Sequence, residues 1–275
     1  MRKKKENAYR DSYRMIADED ATVFSVKEAY KSIRTNLVLS VIKDGCKVIT
    51  FTSAIPAEGK TTTAVNVAVS LAKAYFKVAI IDCDLMKPRV HRTLKVQNTV
   101  GLTNVLSGMS TYEEALQHVE KYGNLYVIPA GIAAPNPSEM LASERMGNLI
   151  ERMKSEYDYI ILDTPPVTVI SDGLTLATRS DGTVLVVRQN YSADYEIKRA
   201  IHNLTFINAK IIGIVFNAID EGGKYKYYSN KKKNGYGYGK YVDAKRTESV
   251  QNLEAEEEIS VYDEIEGEDS EDKKQ

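Results

Sequence analysis

Apolar residues in this chain gather in short β-branched runs that end in polar or acidic turns. Between those runs, apolar positions recur every three to four residues. The first pattern predicts strands and the second predicts helices. Strands are expected at Lys47–Thr52, Lys77–Asp84, Asn124–Pro129, Tyr159–Asp163, Thr183–Arg188 and Ile211–Asn217. Helices are expected at Ser25–Ser40 with Ser25 as N-cap, at Thr62–Ala74, in a short stretch opened by Gly101–Leu106, at Ser138–Tyr157 and at Ala193–Phe206. Strand and helix alternate, so the fold class is α/β, a mainly parallel sheet with helices on both faces.

The link between the first strand and the helix after it is Ser53-Ala54-Ile55-Pro56-Ala57-Glu58-Gly59-Lys60-Thr61-Thr62-Thr63. Strand, tight loop and helix form the setting of a phosphate-binding loop. Backbone N–H groups of Ala57, Glu58, Gly59, Lys60, Thr61 and Thr62 can converge on an anion, and the positive end of the helix dipole faces the same spot. Lys60 adds a charge for the β- and γ-phosphates, and the Thr61 hydroxyl can ligate Mg²⁺. Ala54 stands where the G-x-x-x-x-G-K-[ST] pattern has its first glycine.

The second and fourth strands end in carboxylates. Asp82 and Asp84 are alternate residues, so on a strand they share a face, and strand C-termini of a parallel sheet open onto the ligand crevice. Asp163, followed by Thr164-Pro165-Pro166, matches the second nucleotide motif, whose Asp holds Mg²⁺ directly or through water. The plainer alternative for Asp82 and Asp84 is strand-end caps without chemistry.

Composition narrows the class. The chain has 275 residues, 43% hydrophobic and 27% charged, with a formal net charge of −1, so no global charge points to nucleic acid. No apolar stretch approaches the ~20 residues of a membrane span. The start, Met1-Arg2-Lys3-Lys4-Lys5, lacks the apolar core of a signal peptide, and Cys46 and Cys83 read as reduced cytoplasmic thiols. Residues 1–24 form a flexible basic segment, a solvated tail or a weak contact for anionic lipid, and 25–220 the folded domain. Residues 221–275 read as a disordered tail, first rich in Tyr, Lys and Gly, then acidic. Its tyrosines leave three readings open: a solvated linker, stacking on single-stranded nucleic acid, or substrates of the site. In the helix at 25–40, Glu28, Lys31 and Arg34 form a stripe that is either a wet ion-paired face or a subunit contact.

Several stretches, in order, carry a resemblance. They are Glu28-Ala29-Tyr30-Lys31-Ser32-Ile33-Arg34-Thr35-Asn36-Leu37, the phosphate loop, Ile81-Asp82-Cys83-Asp84-Leu85-Met86-Lys87-Pro88, Gly101-Leu102-Thr103-Asn104-Val105-Leu106-Ser107-Gly108, Pro135-Asn136-Pro137-Ser138-Glu139, Tyr157 to Pro166, and the tyrosine-rich end. From about residue 25 to 241 the chain resembles the bacterial tyrosine kinases of capsule and exopolysaccharide synthesis, in their stand-alone cytoplasmic form.

The resemblance implies a P-loop NTPase fold of the deviant Walker type and transfer of the γ-phosphoryl group of MgATP to tyrosine. It implies Asp82 as acceptor of the tyrosine proton, with Lys60 on the phosphates. Thr61, Asp84 and Asp163 would hold Mg²⁺, and Asn217 would contact adenine. Glu28, Lys31 and Arg34 correspond to a ring-forming motif. Tyr225, Tyr227, Tyr228, Tyr236, Tyr238 and Tyr241 would accept phosphate between subunits. Expected partners are the cytoplasmic end of a membrane-anchored activator, further copies of the chain and a cognate tyrosine phosphatase; no nucleic acid is expected.

Two positions depart from the family pattern, since Met86 and Lys31 each stand where an arginine is usual. Met86 removes a cation near the phosphates, leaving Lys87 or Arg89 to supply it. Lys31 keeps the charge but loses the planar fork that binds a carboxylate with two hydrogen bonds. The related ATPases of division-site placement and plasmid partition are the runner-up. They carry a second lysine five residues before the loop lysine, where this chain has Ile55.

Overall fold

A computed structural model describes residues 16, 24–170 and 172–219. All lie in the first of the two units, Met1–Asp220 and Glu221–Gln275, into which the chain divides. The seven strands among the described residues are β1 (Lys47–Ser53), β2 (Val78–Asp82), β3 (Gln117–His118), β4 (Leu125–Ile128), β5 (Tyr159–Asp163), β6 (Gly182–Arg188) and β7 (Ile211–Asn217). They form one sheet in the order β3-β4-β2-β5-β1-β6-β7. Every pairing is parallel except β3 with β4. The expected architecture holds.

Strand period sorts the core. Ile49, Phe51, Ile80, Ile161, Val184 and Val186 point to one face, where α1 (Phe24–Ser40), α2 (Lys60–Ala72) and α3 (Val90–Leu94) cover them. Val48, Ala79, Ile81, Ile160 and Leu162 point to the other, beneath α4 (Leu102–Ser107), α5 (Tyr112–Ala115), α6 (Pro137–Ala142) and α7 (Glu144–Lys154). Leu185 and Val187 continue that second face under α8 (Asp172–Ala177) and α9 (Asp194–Phe206). Alternation of β-branched residues thus buries the inner strands on both sides, while β7 at the edge stays partly exposed.

The structure corrects several expected boundaries. The helix expected over Ser138–Tyr157 is two helices, because Ser143 takes an extended conformation (φ −61°, ψ 158°) and its hydroxyl caps the Met146 amide at 3.3 Å. α1 starts one residue before Ser25, which therefore lies inside the helix. α2 begins at Lys60, placing Lys60 and Thr61 in its first turn. β2 stops at Asp82, so Asp84 lies beyond the strand. Short elements such as α3, α5 and β3 escaped the pattern because so few residues show no period. The box opening α5, with the Thr111 hydroxyl accepting from Glu114 N and Glu114 Oε2 from Thr111 N, does stand in the sequence as T-x-x-E. No helix among the described residues is long and apolar enough to cross a membrane.

The start of α4 is seated directly on the end of β4. Leu102 N donates to Pro129 O at 2.7 Å and Thr103 N to Ala130 O at 2.9 Å. A Cβ at Gly101 would fall 2.2 Å from Pro129 O and 2.4 Å from Gly131 N. Both obstacles are backbone, so the helix would have to lift. Gly101→Ala is expected to lower stability by about 2–3 kcal/mol, read as a lower midpoint in urea denaturation. An unchanged midpoint would show that the seat yields freely.

Candidate active site

The tips of β1, β2 and β5 bring the charged residues together. Register pairs Phe51 with Asp163 across β1 and β5, and Asp82 with Asp163 across β2 and β5. Above them the loop leaves β1 and turns into α2. Ala57 and Gly59 both have positive φ, 67° and 94°, which swings successive amides toward a common centre. Ala54, in the place of the missing glycine, is fully buried in an apolar cluster with Val167, Leu185 and Ala200. Its methyl therefore packs inside, and the loop closes without a glycine there.

Lys60 Nζ lies 2.9 Å from Asp84 Oδ2 and 3.4 Å from Asp163 Oδ1. Thr61 Oγ1 donates to Asp163 Oδ2 at 2.7 Å. Burial pulls the lysine pKa down, but Asp163 and Asp84 more than reverse this, so it stays charged. Burial pushes the Asp163 carboxyl up, against the pull of Lys60 and Thr61. Asp82 is wholly buried and is pushed up to about 8 by that burial and by the charge of Asp163. Its Oδ2 accepts from Arg89 N and Val90 N, both at 3.0 Å, and its Oδ1 from Asp84 N at 3.3 Å.

Asp84 arrives by a different route from the one expected. It does not share a strand face with Asp82. A tight turn folded over the Asp82 carboxylate, with Lys87 N donating to Asp84 Oδ1 at 3.0 Å, carries it onto Lys60. Met86, in that turn, is exposed, as are Lys87 and Arg89. Cys83 between the two acids points into the core, and burial holds its thiol far above its ordinary pKa.

Two residues expected at the nucleotide form the loop's outer wall. The Glu58 carboxylate turns inward, accepting from Ile55 N at 2.9 Å, from Arg188 N at 3.3 Å and from the Ser192 hydroxyl. Asn217 Nδ2 donates to Glu58 O at 2.8 Å, and Ala218 N donates to Asn217 Oδ1. A Cβ at Gly59 would lie 2.0 Å from Asn217 Nδ2, so this glycine is required by space as well as by its left-handed φ. Sequence reading missed Arg188 and Ser192, which lie about 130 positions from the loop they brace.

Other expected residues lie elsewhere. Glu28 and Lys31 form an exposed ion pair at 2.7 Å on α1, whereas Arg34 Nη1 donates to Ser70 O of α2 at 3.0 Å. The six tail tyrosines are outside the described residues. Tyr157 and Tyr159, at the end of central strand β5 away from Asp163, are buried.

The donor set suits a hard cation. Thr61, Asp84 and Asp163 offer oxygens only, and the single Lys60 ammonium answers both the Asp84 and the Asp163 carboxylates, leaving a deficit of positive charge. Among the described residues no three acidic, His or Cys side chains form a metal cage. Mg²⁺ fits this, since it takes one or two protein carboxylates and completes its shell with water and phosphate oxygens.

A pH dependence follows from Asp82. Its folded pKa lies above the ordinary carboxylate value, so between about 4 and 8 the folded state keeps a proton that the unfolded chain has lost. Stability therefore falls as pH rises through that window. Asp82→Asn keeps an acceptor for the turn amides but has nothing to ionise. Its stability relative to the native chain should rise from pH 5 to pH 8 in urea titrations. A difference that does not change with pH would exclude this titration.

Comparison with known proteins agrees with the geometry. A family model described as an AAA domain matches residues 46–214. Over 206 residues the chain is 37% identical to tyrosine-protein kinase YwqD of Bacillus subtilis, covering 74% of this chain and 86% of that protein. It is 34% identical over 211 residues to tyrosine-protein kinase CpsD of Streptococcus pneumoniae, covering 74% and 91%. The kinase domain of Escherichia coli tyrosine kinase ETK shares the fold with a TM-score of 0.70 at 30% identity, over 78% of this chain and 81% of that one. A phosphate loop with a lysine among strand-end carboxylates is thus found in a chain that belongs to the bacterial protein-tyrosine kinases of capsule and exopolysaccharide synthesis.

Proposed function

We propose that this kinase binds MgATP in the loop and transfers the γ-phosphoryl group to tyrosines of residues 225–241 on a neighbouring copy. The observation that supports this most directly is Lys60 resting on Asp84 and Asp163 at the mouth of the loop. The incoming triphosphate attracts Lys60 away from both carboxylates onto the β- and γ-oxygens. Thr61, Asp84 and Asp163 would hold Mg²⁺, which would supply the countercharge those acids then need. Loop amides hold the remaining phosphate oxygens in line with the attacking hydroxyl.

The bond from the γ-phosphorus to the tyrosine oxygen forms as its bond to the β–γ bridging oxygen breaks, and ADP leaves. The phenolic proton, pKa ≈ 10 in the free side chain, passes to Asp82 in its ionised form, which positive charge brought in with the nucleotide would favour over the proton Asp82 otherwise keeps. Its longest contact, 3.3 Å from Asp84 N, is the one an incoming hydroxyl can displace. An acid pushed up to about 8 is a better match for this proton than an ordinary carboxylate. Tyr157, just before β5, and Tyr159, its first residue, are buried at the far end of that strand and cannot make this approach.

The same reading places the chain in the cytoplasm, recruited to the membrane by the cytoplasmic end of an anchored activator. There it forms a ring through α1 and is reset by a tyrosine phosphatase. Each phosphate brings about −1.5 to −2 charges, so phosphorylated tails repel and loosen the ring.

Incubation with MgATP and the activator, followed by phosphosite mapping, tests the transfer. Lys60→Met should leave a folded chain without phosphotyrosine. Changing Tyr225, Tyr227, Tyr228, Tyr236, Tyr238 and Tyr241 together to Phe should remove nearly all labelling while ATP binding persists, and any single change should remove little. Strong tyrosine labelling of the sixfold variant would overturn the acceptor assignment.

The ring is tested separately. Arg34 is engaged with α2 of its own chain, so the double change Glu28→Ala, Lys31→Ala isolates the outward part of the stripe. Light scattering should show a smaller particle for this variant in the presence of the activator. An unchanged mass would remove these two residues from the interface.

A further inference from the structure

The turn Arg188–Ser192, joining β6 to α9, belongs to none of the nucleotide signatures and stands across the phosphate loop from the three carboxylates. One side chain holds both of its ends: Glu58, wholly buried, accepts from Arg188 N at 3.3 Å and from the Ser192 hydroxyl. Asn190, with φ 54°, closes the turn, and Gln189 N donates to Asn217 O at 3.0 Å. The turn is therefore fixed to the loop, to β6 and to the last residue of β7.

On this frame the Arg188 guanidinium lies over the Tyr191 ring, 5.0 Å from its centroid. Arg188 Nη1 reaches to 3.5 Å from Ala57 O, and Tyr191 is 47% exposed. A planar cation stacked on an aromatic ring thus stands in solvent at the outer rim of the loop. The backbone that carries both side chains is held by a buried carboxylate before any ligand arrives.

The site gives the nucleotide a direction. The γ-phosphate belongs with Lys60, Asp84 and Asp163, at the tips of β1, β2 and β5. The other end of the nucleotide must leave past Glu58 and Gly59, where β6 and β7 end. We propose that Arg188, stacked on Tyr191, is the platform for the adenine ring of ATP and determines selectivity for a base-bearing triphosphate. The guanidinium plane matches a purine in shape and is attracted by its π-face, and Tyr191 keeps that plane oriented. This inference rests on the reading that the loop binds MgATP, and it adds the residues that read the base.

Two ligands separate the base from the phosphates: MgATP and magnesium tripolyphosphate, which has the phosphate chain alone. Titration calorimetry with the full chain should give about a tenfold weaker MgATP for Arg188→Ala and for Tyr191→Ala, in line with one lost cation–π contact. Tripolyphosphate affinity should stay within about twofold of the native chain in both. Tyr191→Phe keeps the ring and should bind both ligands normally. Arg188→Lys keeps the charge but loses the plane, so it should weaken MgATP alone; it also carries the test if the alanine variants fail to fold.

Equal weakening of both ligands in Arg188→Ala and Arg188→Lys would make Arg188 a phosphate contact and overturn the proposal. So would unchanged MgATP binding in folded variants. If the native chain binds neither ligand, the nucleotide reading itself is what fails.

Discussion

Three buried carboxylates surround one ammonium, and the rest of the site follows from how that imbalance is contained. Asp82, Asp84 and Asp163 are all buried, and burial together with the neighbouring negative charge raises the pKa of Asp82 and Asp163. The protein holds them by giving each a different answer: backbone amides for Asp82, the Lys60 ammonium for Asp84, a hydroxyl and the same ammonium for Asp163. A polyanion entering beside these acids must bring its own cation. In the proposed reaction, selectivity for a metal-bound triphosphate would follow from this charge balance as well as from any contact with the base.

The sheet order arranges this chemistry in space. β1 lies between β5 and β6, and the chain runs outward from it in both directions. Ligands of parallel sheets bind at such a reversal because the loops leaving neighbouring strands diverge and open a crevice. Here the crevice has two unlike walls. On the β5 and β2 side stand the acids; on the β6 and β7 side stand an arginine, a tyrosine and an asparagine amide. The phosphate loop is the ridge between them.

Much of this was legible because the features concerned are local. Lys47 to Thr52 and Tyr159 to Asp163 read as strands from their own side chains, and Gly59-Lys60-Thr61 names the loop without outside help. The misses are non-local. Asp84 reaches Lys60 through a turn wrapped on the Asp82 carboxylate, and neither the turn nor its wrapping shows in strand alternation. Glu58 looks like any loop residue until its acceptors prove to be filled from beyond β6. Ser143 is compatible with a helix interior, and its extended backbone is decided by the cap it gives Met146. Arg34 reads as part of an outward stripe, yet its reach to Ser70 depends on how closely α1 lies against α2.

The interlock of Gly59 with Asn217 has a further bearing on how the enzyme comes into being. The loop is encoded near the start of the domain and its brace at the very end, 159 positions apart for the bond between Glu58 and Asn217. During synthesis, which runs from the N-terminus at about 5–20 residues per second, the loop emerges many seconds before its brace. The central strands can pair early, but the outer wall of the loop cannot set until β7 has docked beside β6. A ribosome-bound chain stopped short of residue 217 would carry the whole glycine–lysine signature and still lack a finished cradle. Competence for nucleotide thus marks completion of the domain.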